Sequence, residues 1–205
     1  MGVTQILVGQ GIFVDPVIDW EARYKDSTTG WERDHLNPAF NEWRARLGAN
    51  PGSVILPGCG RSPEVVAFAE MGWKVTGLDL AETAVGYQQA ALRDAGLIGQ
   101  VVQTNIFHWQ PEAPVDLVYE QTCLCALSPD QWSAYEQTLH QWLKPGGVLA
   151  ALFMQTGREG GPPFHCELGD MRALFNESRW EWDVQSIKSE HPMGIHELGY
   201  LLTRL

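Results

Sequence analysis

Residues 54–79, VILPGCGRSPEVVAFAEMGWKVTGLD, decide how this chain folds. The apolar run at 53–56 predicts a short buried strand that breaks at Pro57. Gly58-Cys59-Gly60 then supplies a turn in which backbone approaches a ligand with no Cβ in the way. Val65, Val66, Phe68, Ala69 and Met71 recur at helical spacing until Gly72 stops the helix. A second strand, 73–78, delivers Asp79 at its carboxyl end. A strand, a glycine turn, a helix and a strand ending in an acid build a nucleoside pocket, because one carboxylate accepts from both hydroxyls of a ribose.

Two ligand classes use such a unit, and the third glycine separates them. A dinucleotide fold wants G-x-G-x-x-G so that the pyrophosphate sits on the helix N-terminus. Here Pro63 stands three residues after Gly60, and Glu64 follows. A carboxylate in the first helical turn suits the helix dipole and repels a pyrophosphate. It tolerates a sulfonium and an ammonium group, which favours S-adenosylmethionine over a nicotinamide cofactor. Leu143-Lys144-Pro145-Gly146-Gly147 before the strand from Val148 strengthens that reading.

The chain has 205 residues, enough for one α/β domain with a well-buried core. No apolar stretch reaches the roughly 18 residues of a membrane span, and the N-terminus lacks a basic start before an apolar run. The net charge of −11 argues against nucleic-acid or anionic-membrane partners. The four cysteines, Cys59, Cys123, Cys125 and Cys166, show no zinc-ligand spacing. They read as reduced thiols of a cytoplasmic protein, with no metal expected.

Around the quoted stretch, residues 1–16 show no clear periodicity. A helix is expected over 19–26 and a second from Asn37-Pro38, with asparagine as N-cap and Phe40, Trp43 and Leu47 on one face. A helix over 81–95, strands at 100–104 and 115–120, a helix from Ser128-Pro129 to about 143 and a strand over 148–154 follow. The segment 157–164 is a glycine/proline loop and 167–176 a helix; 181–189 and 197–205 read as a closing antiparallel pair. Strands alternating with helices imply right-handed crossovers and a mainly parallel sheet, with the ligand over the strands' carboxyl ends.

Trp20 and Trp31, LPGCGRSPEVVAFAEMGWKVTGLDLAETAV, YEQTCLCALSP, LKPGG and GGPPF together resemble the thiopurine/thiol methyltransferase family. That family includes thiopurine S-methyltransferases and enzymes that methylate thiols and halide or thiocyanate ions. The resemblance implies a Rossmann-like class I methyltransferase fold: a mainly parallel seven-stranded sheet with an antiparallel C-terminal hairpin strand and helices on both faces. It implies one methyltransferase domain, with 1–50 as an N-terminal cap and 51–205 as the cofactor-binding core. Trp20 and Trp31 match the aromatic positions of the segment that closes over the cofactor, where a ring face suits a sulfonium. Gly58, Cys59 and Gly60 match the turn beside the methionyl part, and Asp79 with Leu80 the ribose side. Asn105 and Ile106 match the adenine position, where many relatives carry an acid at Asn105. Glu120 and Gln121 match positions beneath the cofactor, and several relatives have an aromatic at Gln121.

Methyl transfer from a sulfonium is an in-line displacement with a neutral leaving group, so orientation supplies most of the rate. A thiolate or halide needs no base, and no catalytic residue is assigned. The substrate wall is expected from Trp31, Arg33 and His35, the turn at Cys123, and the loop ending at Phe164. The resulting expectation is an S-adenosylmethionine-dependent S-methyltransferase, monomeric, acting on a small thiol, thiopurine or soft anion (halide, thiocyanate or selenium species). The alternatives are a catalytically silent cofactor-binding protein or a nicotinamide-dependent oxidoreductase.

Overall fold

The computed structural model describes residues 18–205. The part of the expected cap at 1–17 lies outside the described residues. The chain order is α1 (Trp20–Lys25), α2 (Pro38–Leu47), β1 (Ser53–Pro57), α3 (Glu64–Glu70), β2 (Lys74–Asp79), α4 (Glu82–Asp94) and β3 (Gln100–Gln103). Then come β4 (Val115–Gln121), α5 (Trp132–Trp142), β5 (Leu143–Gln155), α6 (Leu168–Leu174), β6 (Trp180–Trp182), β7 (Ile187–Glu190) and β8 (His196–Arg204).

Across the sheet the order is β3-β2-β1-β4-β5-β8-β6, with β7 also on β8. The first five strands are mutually parallel, and β8 runs antiparallel to β5. Strand order therefore reverses between β1 and β4, which opens a crevice at their carboxyl ends. The expected strand over 181–189 is split. β6 takes the Leu202–Arg204 end of β8 and β7 the His196–Gly199 end. Between Trp182↔Leu202 and Ile187↔Gly199 four residues on the edge, Asp183–Ser186, stand against two on β8, and the excess bulges out. The sheet thus has seven positions, the last filled by two short strands.

Alternation along the strands feeds two cores. Leu117 and Tyr119 of β4 face Phe40 and Trp43 of α2 and Phe68 of α3. Val118 of β4 and Leu149, Ala151 and Phe153 of β5 face Tyr135, Leu139 and Trp142 of α5 and Met171 of α6. Helices thus cover both faces, as parallel sheets require. Asn37 caps α2 as expected, its Oδ1 accepting from Ala39 N at 2.9 Å, with Pro38 next. Ser128-Pro129 opens a 3₁₀ turn, Pro129–Gln131, before α5 begins at Trp132, so the α-helix starts later than the cap residues suggest. Lys144–Gly147 form a bulge that lets β5 start beside Val115 and resume beside Leu117.

Candidate active site

Where β1 ends, Gly58 and Gly60 take φ of +55° and +49°, the left-handed region that disfavours any side chain. A Cβ on Gly60 would lie 2.7 Å from the Tyr24 hydroxyl, and one on Gly58 3.0 Å from Cys123 Sγ. The turn is tied to β2 by Cys59 N donating to Leu78 O at 2.9 Å and Gly60 N donating to Asp79 Oδ2 at 2.8 Å. Asp79 Oδ1 accepts from Ala81 N at 2.8 Å. Burial raises the Asp79 pKa, and the N–H groups of Ala81, Gly60 and Leu80 oppose that rise. Thr104 N donates to Asp79 O at 2.8 Å, which brings the end of β3 alongside. Asn105 there accepts from Phe107 N at 2.9 Å and starts a 3₁₀ turn at Ile106, which is buried, while Leu80 is 52% exposed.

An aromatic roof covers this turn. Trp31 packs edge-on to Trp20 (5.6 Å between ring centroids) and to Tyr24 (6.0 Å), over Ala81 and Ala84. Two clasps hold the roof. Glu21 accepts from Thr83 N at 2.9 Å and Thr83 Oγ1 at 2.7 Å. Arg61, in the glycine turn, grips both carboxylate oxygens of Glu32 and lies 5.2 Å over the Tyr24 ring. Below, Gln88 of α4 is fully buried and donates to Gly60 O at 3.0 Å and Ser62 O at 2.8 Å.

A cleft of ≈ 40 Å³ opens beside the turn, reached by Trp31, Arg33, Gly58, Tyr119, Gln121 and Thr122. Arg33 Nη2 donates to Glu190 O at 2.5 Å and Glu197 Oε2 at 3.1 Å. Glu197 also accepts from Asn37 Nδ2 at 2.9 Å, and Asn37 Oδ1 from Ser189 Oγ at 2.7 Å. Glu64 is turned inward, accepting from Asn37 N at 2.6 Å and from Ser62 Oγ. Its carboxylate is therefore sealed under the turn and does not stand at the open end of α3. On the opposite sheet face Glu120, 1% exposed, accepts from Leu124 N at 2.6 Å. Its Oε2 has no hydrogen-bond partner. Burial pushes the pKa of Glu120 and of Glu197 up to about 7. Between Glu120 and Leu124 the chain turns through Thr122 at φ +61°, a costly conformation for a β-branched residue and one that clusters at functional sites.

The structure gathers Trp20, Trp31, Gly58, Cys59, Gly60, Asp79, Asn105, Ile106 and Gln121 along the carboxyl ends of β1 to β4. Arg33 reaches the cleft. His35 does not: its side chain is 64% exposed and bonded to Asp34. Cys123 is buried against Gly58, and burial raises its thiol pKa, as it does for Cys59 and Cys125. Phe164 N donates to Cys125 O at 2.7 Å, which staples the glycine/proline loop to the Thr122 turn without placing its ring on the cleft. Tyr24, Arg61, Gln88 and Glu197 escaped the reading of the sequence. Gln88 carried a signal, since it shares the buried face of α4 with Val85 and Leu92 at spacing i, i+3, i+7. Glu197 carried none. Among the described residues no three His, Cys, Asp or Glu side chains are placed to hold a metal ion, and no helix is long and apolar enough to cross a membrane.

The residues present fit S-adenosylmethionine: a glycine turn in left-handed backbone at the end of β1, a carboxylate at the end of β2, and aromatic faces above them. In sequence, the model of the thiopurine S-methyltransferase family matches residues 17–194. A thiopurine S-methyltransferase of Pseudomonas putida (strain GB-1) is 31% identical over 185 residues, 80% of this chain and 83% of that protein. Thiocyanate methyltransferase 1 of Brassica oleracea is 29% identical over 151 residues, 71% of this chain and 66% of that protein. In structure, the 1,6-didemethyltoxoflavin-N1-methyltransferase of Burkholderia thailandensis superposes with a TM-score of 0.73 at 23% identity, over 89% of this chain and 84% of that one, which shows a shared fold. A match over most of the chain, on a fold whose switch point carries the glycine turn and Asp79, places this protein in the thiopurine S-methyltransferase family of S-adenosylmethionine-dependent methyltransferases.

Proposed function

We propose that the chain transfers a methyl group from S-adenosylmethionine to the sulfur of a small thiol or thiopurine, or to a soft anion such as a halide, thiocyanate or a selenium species. The observation that carries this reading is the glycine turn bonded to Asp79 under the Trp20–Tyr24–Trp31 roof, beside a cleft with no nucleophile–base pair among the described residues. The family match and the relatives named for thiopurine and thiocyanate support the choice of acceptor.

In this reading Trp20 and Trp31 shelter the cation. Gly58, Cys59 and Gly60 meet the methionyl part, and Asp79 and Leu80 hold the ribose. Asn105 and Ile106 hold the adenine, and Glu120 and Gln121 support the floor. Residues 1–50 act as the cap and 51–205 as the core of one methyltransferase domain. The bound cofactor supplies a methyl carbon activated by its sulfonium, with a thioether as neutral leaving group. What the chain adds is orientation and exclusion of water. Arg61 and Glu21 pin the roof down, and exclusion of water by the roof favours an anionic nucleophile, whose charge is lost as it reacts. The buried thiols, with raised pKa, are poor nucleophiles and do not compete. The four cysteines are free, which suits a cytoplasmic protein; we expect it to act as a monomer on a small-molecule substrate.

Calorimetric titration with S-adenosylhomocysteine, with a nicotinamide dinucleotide as control, tests the proposal. Binding of the first alone, followed by turnover on a panel of thiols and soft anions, is the expected result. Binding without turnover across the panel identifies a catalytically silent cofactor-binding protein. No binding in a folded sample overturns the assignment of the site.

A further inference from the structure

Both sides of the cofactor slot hang from one helix. Thr83, in the first turn of α4, holds the aromatic roof by donating to Glu21. Farther along the same helix, Gln88 holds the glycine turn from beneath, its Nε2 donating to Gly60 O and Ser62 O. Among the described residues those two carbonyls have no other donor. Gly60 is thus gripped from two elements at once, its N–H by Asp79 of β2 and its carbonyl by α4. Gln88 is fully buried, and its own Oε1 has no hydrogen-bond partner among the described residues. A buried acceptor without a donor is destabilising, so packing beside Val85 and Leu92 does not account for an amide at this position.

The consequence lies in the peptide unit between Gly60 and Arg61. A trans peptide is planar, with its N–H antiparallel to its carbonyl. Drawing Gly60 O inward to Gln88 therefore turns the Arg61 N–H outward. That N–H has no acceptor among the described residues, whereas the N–H groups of Cys59, Gly60 and Ser62 are all bonded within the fold. Gly60 and Arg61 both line the cleft, and the Arg61 guanidinium is turned to Glu32 in the roof. We propose that Gln88 is the positioning residue that presents the Arg61 N–H to the α-carboxylate of the bound cofactor, and so sets where the methionyl end of S-adenosylmethionine lies. A carboxylate is the strong acceptor for such a donor, and a backbone N–H already fixed in place loses no side-chain freedom on binding. This rests on S-adenosylmethionine as the cofactor and makes no use of the acceptor's identity.

The test compares two ligands on the full chain: S-adenosylhomocysteine, and methylthioadenosine, which keeps the nucleoside and the thioether and lacks the carboxylate. Gln88→Met keeps the length of the side chain and removes its donors. In calorimetry the affinity for S-adenosylhomocysteine is expected to fall about tenfold or more, the scale of one lost hydrogen bond to a charged group, with methylthioadenosine within about twofold of wild type. Denaturant midpoints establish that the variant is folded. A Gln88 that serves stability alone lowers both affinities alike, so equal losses overturn the proposal. An unmoved affinity for S-adenosylhomocysteine in the folded variant overturns it as well. Should Gln88→Met fail to fold, solution NMR of the wild-type chain carries the test. The Arg61 amide proton is expected to move downfield with S-adenosylhomocysteine and to stay near its free position with methylthioadenosine. The same shift with both ligands, or no shift with bound S-adenosylhomocysteine, sinks the assignment of that N–H. Wild-type protein that binds neither ligand overturns the cofactor site beneath it.

Discussion

The two sides of the cleft are built by opposite means. On one side the glycine turn meets Asp79, 19 residues away, through backbone N–H groups, and its shape depends on the lack of two Cβ atoms. On the other, Arg33 and Asn37 meet Ser189 and Glu197 across 152 to 164 residues, entirely through buried side chains. The first side is conformational: the chain need only take the turn for its donors to converge. The second is electrostatic: each charge is tolerable only while its partner is present.

That contrast predicts where each side fails. Arg33→Met leaves Glu197 buried without its cation and should cost about 3–5 kcal/mol of stability. Adding Glu197→Gln should recover most of it, because the amide still accepts from Asn37. A small loss for the single variant in thermal denaturation would mean that the cluster is held by packing and not by charge.

The buried carboxyls of Glu197 and, on the opposite sheet face, Glu120 add a pH signature. Burial raises both to about 7, so the folded state favours their protonated forms. Their contribution is complete below the unfolded value, near 4, and is lost as pH rises through about 7. Glu120→Gln keeps the acceptor for Leu124 N and removes the ionisation. It should raise stability by on the order of 2 kcal/mol at pH 8 and leave it nearly unchanged at about pH 4, read from denaturant midpoints. A gain of equal size at both pH values would contradict this assignment.

Substitutions on the turn side should act on the ligand as much as on the fold. Asp79→Ala removes the acceptor of Gly60 N and Ala81 N and should weaken S-adenosylhomocysteine binding by about 1–3 kcal/mol in calorimetry. Unchanged affinity would remove Asp79 from the pocket. Gly60→Ala forces a side chain into the left-handed region and should cost about 1–2 kcal/mol. Part of that should return in a Tyr24→Phe background, which deletes the hydroxyl lying 2.7 Å from the new methyl group. If the second change restores nothing, the cost lies in the backbone alone.

The same contrast explains what could be read in advance. Asn37-Pro38, Gly58-Cys59-Gly60 and the alternating apolar strands each declare themselves within a few residues, because capping, left-handed turns and strand faces are local matters. The strand expected over 181–189 was placed on the right edge, but its break was not foreseen, since a bulge is fixed by register against β8. Arg33 and His35 lie two residues apart and looked equivalent in sequence. One is buried against Glu197 and the other stands in solvent beside Asp34.

Residues 54–79 were enough to specify a strand, a glycine turn, a helix and a second strand with an acid at its end, because spacing and backbone freedom are properties of contiguous chain. The company of each buried charge was settled only by the tertiary structure. Glu64 turns inward to Asn37, Glu197 pairs with Arg33, and Tyr119 aims Gln121. A buried carboxylate or guanidinium is admitted only where folding brings a partner within hydrogen-bond distance, and that partner can come from anywhere in the chain.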